Sequence, residues 1–200
     1  MAETSWGAWD PLTPAEVDGL LVGLDVPWWI AGGYAIEAFA GKVFREHNDV
    51  DVGLLRRDQL ATQHHLADWD LHAADPPGTL RPWLRGESLP PGVHDIWARR
   101  GPGVPWRFQL MLNESDGDDW LYRRDPRIRR ALSTLTWRRD GIPYLAPEVQ
   151  LLFKAKAPRA KDEADFEAAL PLLTDAKQRW LSDGLLLSEP ASAWIARLTE

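Results

Sequence analysis

The sequence contains no cysteine. Disulfides, thiolate nucleophiles and cysteine-ligated zinc are therefore excluded. No apolar run approaches the ~20 residues that cross a bilayer. The most apolar-looking stretch, Val26 to Gly41, is cut by Glu37 and two glycines. The opening "MAETSWGAWDPLTP" has neither the basic nor the apolar segment of a secretory signal, so a cytoplasmic protein is expected. Positive charge is scarce. The net charge is −7, whereas a general nucleic-acid binder carries a basic face. His64, His65, His72 and His94 fall at no metal-binding spacing, and "DGDD", Asp116 to Asp119, lacks the spacing of a calcium loop.

What is present fits a globular protein. The 200 residues are 44% hydrophobic and 26% charged, enough for one domain or a core with a small appendage. Tryptophan is abundant, with twelve copies at irregular spacing and no repeat period. Each is read first as packing. Some, such as Trp28 and Trp29, look like core, and others, such as Trp83 and Trp106 in Pro/Gly-rich loops, could line a pocket.

Thr13-Pro14-Ala15-Glu16 predicts a capped helix running to about Gly23. "VPWWIAGG" predicts a short buried strand ending in paired glycines, and "YAIEAFAG" a helix closed by Gly41. A strand is expected over Val50 to Leu55, then an amphipathic helix in "RRDQLATQHHLADW" and a strand in "DLHAA". Asp75 to Gly92 reads as loop. "VHDIWARR" and "WRFQLMLNE" read as strands, the second alternating Phe108, Leu110 and Leu112 against Gln109 and Met111. "LSTLTWRRDGIPYL" predicts a hairpin about Asp140-Gly141. Beyond Leu145 the spacing turns helical. The expected division is an α/β core over 1–145 and a helical region over 146–200. "RRDPRIRR", Arg123 to Arg130, is a basic cluster best read as a solvated loop.

The chemistry concentrates in "FREHNDVDVGLL". Alternation puts Asp49 and Asp51 on one strand face, opposite Val50, Val52 and Leu54. Like charges that close repel, unless a cation sits between them. Two carboxylates with room for water and a polyphosphate suit Mg²⁺. Gly32-Gly33, between a strand and a helix, allow close backbone approach to phosphate. Together these parts are what nucleotidyl transfer requires.

"WWIAGGYAIEAFAGKVFREHNDVDVGLLRRD" resembles the signature of the antibiotic nucleotidyltransferases, in the DNA polymerase beta-like nucleotidyltransferase superfamily. The similarity is to aminoglycoside 2''-adenylyltransferase-like and lincosamide nucleotidyltransferase-like proteins, and runs from about Trp28 to Leu173. It implies an α+β fold, a mixed sheet flanked by helices with a C-terminal helical region. It implies AMP transfer from ATP, with Mg²⁺, to a hydroxyl of a small and even cationic acceptor, without nucleic acid or membrane, by a monomer or homodimer. Asp49 and Asp51 would hold metal. Gly32, Gly33, Tyr34, Arg45, Lys154 and Lys161 would meet the nucleotide, with Lys156 behind Lys154. His47 stands one strand step before Asp49. The sequence departs from the family where a third carboxylate is expected, because that position is Gln109, which cannot take a proton at neutral pH. Glu114 and Asp95 are the other carboxylates that could serve as base. A nucleotide-binding protein without turnover is the alternative expectation.

Overall fold

The computed structural model describes residues 2–198, with side chains from Thr4 onward. In chain order the elements are β1 (Ala2–Thr4), β2 (Gly7–Trp9), α1 (Pro14–Leu20), β3 (Trp28–Ile30), α2 (Gly32–Ala40), β4 (Asp51–Leu55), α3 (Gln59–His65), β5 (Asp70–Ala73), β6 (Arg81–Pro82), β7 (Asp95–Arg99), β8 (Phe108–Asp116), β9 (Asp119–Leu121), β10 (Arg129–Ala131), α4 (Leu132–Leu135), β11 (Thr136–Arg139), β12 (Ile142–Leu145), α5 (Pro147–Lys154), α6 (Ala160–Ala169), α7 (Asp175–Ser188) and α8 (Trp194–Arg197). The class is α+β, and no helix among the described residues is long and apolar enough to cross a membrane. The chain forms two compact units, one of Met1–Ile30 with Glu46–Ser115, the other of Ala31–Arg45 with Asp116–Glu200.

The first unit is a mixed sheet in the order β3-β4-β8-β7-β5-β6. Only β4 and β8 run parallel; the other pairs are antiparallel. One face is apolar and closed. Val50, Val52, Ile96, Phe108 and Leu110 have no exposed surface. The opposite face carries Asp51, Gln109, Asp95, Trp97, Arg99, Asp70 and His72, all partly exposed. This division follows the alternation of the sequence directly. Gly53 also lies on the polar face, and a Cβ there would overlap the indole of Trp29, which is its cross-strand partner. The helix α1 starts on the expected capping box, with Thr13 Oγ1 accepting from Glu16 N–H and Glu16 accepting from Thr13 N–H.

The second unit packs α2, α5, α6 and α7 with the β11–β12 hairpin. The hairpin turns at Asp140 and Gly141, both at positive φ (51° and 84°), as the sequence indicates. The preceding "LSTL" is a short helix, α4, and not part of the strand. Four pieces lie outside the sequence reading: the β1–β2 hairpin, β6 within the stretch read as loop, β9 and β10. Each strand has two or three residues, too few for a period to show.

Candidate functional site

On the first unit, β4 begins at Asp51, so Asp49 lies on the approach to the strand, exposed, two residues ahead of it. Val50 still joins the ladder, its carbonyl accepting from Gln109 N–H at 3.0 Å. On the other side β3 ends its match at Ile30, opposite Val52, and leaves nothing for Asp49. Asp51 is directly in register with Gln109 of β8. Paired residues on neighbouring strands share a face, about 4.8 Å apart. The position beside Asp51 is therefore occupied by an amide, where the family resemblance leads one to expect a carboxylate.

Glu114 lies elsewhere. It is five residues beyond Gln109, about 16 Å along the strand, and on the other parity. It accepts from Arg56 Nε at 2.7 Å and lies 3.8 Å from His94 Nδ1. The geometry does not bring Glu114 to Asp51. Asp95 shares the face of Gln109, opposite Met111.

On the second unit, Gly32 opens α2 at φ +67°, a conformation that L side chains rarely adopt. Its N–H is donated to Gln150 Oε1 at 2.7 Å. Gly33 and Tyr34 follow in the first turn, half-buried. Glu37, buried on the same helix, accepts the N–H groups of Phe44 and Arg45 through one oxygen, at 3.0 and 3.1 Å. It thereby fixes the loop that runs toward Asp49. Sequence reading saw Glu37 only as an interruption; a lone acid in "YAIEAFA" was the available signal, because a buried carboxylate needs donors.

Arg45 and Lys154 converge on one carboxylate. Asp165, with no exposed side chain, accepts from Arg45 Nε at 3.1 Å and lies 2.7 Å from Lys154 Nζ. Lys154 also reaches Asp162 at 3.1 Å, and Arg159 Nε donates to Asp162 at 2.8 Å. Burial pushes the Asp162 carboxyl up, but hydrogen bonds from the Arg159 side chain and backbone and the charge of Lys154 outweigh it, holding it at about 2. Lys161 is exposed on α6. The two acids stand at i and i+3 on α6, eight and eleven residues after Lys154. The sequence showed this as a Lys/Asp-rich segment without separating the roles. In the basic cluster, Arg127 pairs with Asp125, but Arg130 reaches the fully buried Glu148 at 2.7 Å and is more than solvated loop.

A family model described as aminoglycoside-2''-adenylyltransferase matches residues 15–72. Three solved structures cover most of the chain. A lincomycin-bound lincosamide antibiotic adenylyltransferase, LnuA, matches at TM-score 0.54 and 16% identity, over 80% of this chain and 97% of its own. The solution structure of the antibiotic-resistance factor ANT(2'')-Ia matches at 0.55 and 14%, over 93% and 95%. Its complex with adenylyl-2''-tobramycin matches at 0.53 and 14%, over 86% and 95%. No curated protein matches. The fold is the one that these solved structures share. At these identities the structural likeness establishes the nucleotidyltransferase fold, and the family match lies on the segment that carries Gly32-Gly33, Asp49 and Asp51.

Proposed function

We propose that the protein is a Mg²⁺-dependent nucleotidyltransferase that moves AMP from ATP to a hydroxyl of a small acceptor of the aminoglycoside or lincosamide kind. The observation that carries this is Asp51 as the first residue of β4, with Asp49 just ahead of it, inside the segment matched by the adenylyltransferase family model. Asp49 and Asp51 fit a divalent cation as hard, anionic oxygen ligands. Bound there, the metal would supply charge neutralisation on the triphosphate. Gly33 and Tyr34 lie in the first turn of a helix whose N-terminal end favours phosphate, while the Gly32 N–H ahead of them is taken by Gln150. Arg45 and Lys154, both paired with Asp165, and the exposed Lys161 are the cations that the resemblance assigns to the nucleotide. The net charge of −7 suits a cationic acceptor. A cytoplasmic location belongs to the same reading, since ATP is the donor.

A second reading rests on Gln109. An amide in register with Asp51 can lend a carbonyl oxygen to a metal but cannot accept the acceptor's proton. Under that reading the protein binds nucleotide and does not turn over. Incubation with ATP, Mg²⁺ and either tobramycin or lincomycin, read by mass spectrometry, separates the two. A product heavier by one AMP supports transfer. ATP binding with no adenylylated product from either compound supports the second reading.

A further inference from the structure

The polar face of the first unit continues past Gln109 in one register row. Gln109 pairs across β7 with Trp97, and Trp97 pairs across β5 with His72. Asp51, Gln109 and Trp97 therefore stand side by side on three neighbouring strands. Two strand spacings separate Asp51 from Trp97, about 10 Å, which is the span of one ring plus a phosphoryl group.

Trp97 meets three other indoles. Trp9 and Trp106 are buried and touch it edge-to-face, at ring separations of 4.9 and 5.5 Å. Trp6 approaches at 6.0 Å and 87° but remains 41% exposed. It sits at the tip of the β1–β2 hairpin, where Thr4 Oγ1 donates to the Gly7 carbonyl and Gly7 takes φ 112°. Its own carbonyl accepts from Trp106 Nε1 at 2.9 Å, which fixes the tip against the sheet. This hairpin precedes the segment matched by the family model. Two residues from Trp97 on the same face is Asp95, half-buried, whose carboxylate makes no ion pair or hydrogen bond among the described residues. Asp70, by contrast, is taken up by His72 at 2.9 Å and Arg99 at 2.7 Å.

Packing alone accounts for Trp9 and Trp106. It does not account for Trp6, an exposed indole set at a right angle to Trp97, when Trp97 itself stands in the row that begins at Asp51 and has the unengaged Asp95 two residues away on the same face. Perpendicular indoles offer apolar walls to a saturated ring, and a carboxylate at their edge takes a hydroxyl or an ammonium group.

We propose that Trp6, Trp97 and Asp95 form the acceptor subsite, with the N-terminal hairpin as its outer wall. This rests on the reading of Asp51 as part of the transfer site, and it assigns acceptor selection to residues outside the glycine and aspartate motifs.

The test uses the full-length ¹⁵N-labelled protein. Calorimetry with a non-hydrolysable ATP analogue and Mg²⁺ first measures the nucleotide side by itself. Tobramycin and lincomycin are then titrated separately while the indole N–H signals are followed, with Trp6→Phe and Trp97→Phe used for assignment. At least one compound is expected to shift the Trp6 and Trp97 signals. Trp6→Ala and Asp95→Asn should each weaken that compound roughly tenfold and leave the nucleotide affinity at the wild-type value. A purely structural role for Trp6 would lower the melting temperature and leave the affinity for the compound unchanged. The proposal is overturned if both variants bind the compound as wild type does, or if neither indole signal moves with either compound at millimolar concentration. If nucleotide still binds in those cases, only the subsite is wrong. If the indoles respond but nucleotide never binds, the transferase reading fails and the acceptor role falls with it, leaving Trp6 and Trp97 as a binding site for that compound alone.

Discussion

Asp165→Asn is expected to destabilise the protein by about 3 kcal/mol, near the low end of what removing one partner of a buried ion pair costs. Asp165 has no exposed side-chain surface and serves two cations, Arg45 and Lys154. Asparagine keeps the shape and one acceptor oxygen but loses the charge. Lys154 is 9% exposed and retains Asp162 at 3.1 Å, so it is not stranded. Arg45 is 18% exposed and can recover part of its hydration, while its bidentate partner is gone. These two facts place the cost at the low end. For a chain of this length each kcal/mol shifts the melting temperature by about 2–4 °C, so a drop of roughly 6–12 °C is expected. Thermal and urea unfolding would both be recorded at neutral pH. Adding Lys154→Met to Asp165→Asn should cost less than the two changes summed, by about 1 kcal/mol or more, because the cation and its carboxylate leave together. A shift of Asp165→Asn within about 2 °C of wild type, or strict additivity in the cycle, would refute the buried pairing as described.

The remaining predictions draw on both units. Gly53→Ala places a methyl group into the Trp29 indole, which is 2% exposed and cannot retreat, so a loss of about 3 kcal/mol is expected in urea unfolding. Asp162 has its carboxyl lowered from 3.8 to about 2. A depressed carboxylate stabilises the fold above the unfolded value, and that contribution is lost as pH falls from about 4 toward 2. The loss amounts to about 2 kcal/mol. Wild-type stability should therefore fall more steeply over this window than that of Asp162→Asn, measured by urea unfolding at each pH. Gln109→Asp supplies a third carboxylate in register with Asp51 and should tighten Mn²⁺ binding by about tenfold or more. Unchanged Mn²⁺ affinity by titration would mean that this position does not face the metal.

Much of this was legible in the sequence, and particular residues show why. The capping box at Thr13, the Asp140-Gly141 turn and the alternation through Phe108, Leu110 and Leu112 are local signals, each set by a few adjacent residues, and each reappears in the structure. The resemblance put Gln109 where a third carboxylate is expected on a neighbouring strand, and in the sheet Gln109 pairs with Asp51. Asp49 was placed in the strand because alternation alone says nothing about where a neighbouring strand ends. Short strands such as β9 and β10 leave no period to read. The convergence of Arg45 and Lys154 on Asp165 joins residues 120 and 11 positions apart and is a product of tertiary packing. The likeness of Trp6 to any other surface tryptophan hid its place against Trp97 for the same reason.

The proposed function requires Asp49 and Asp51 to bind a metal–nucleotide complex. Calorimetric titration of the wild-type protein with ATP and a non-hydrolysable analogue, with and without Mg²⁺, tests it most directly when repeated on Asp49→Asn/Asp51→Asn. Micromolar binding that needs Mg²⁺ and disappears in the double variant, while the melting temperature holds, is expected. Binding that survives in the double variant, or no binding by folded wild-type protein, would contradict it.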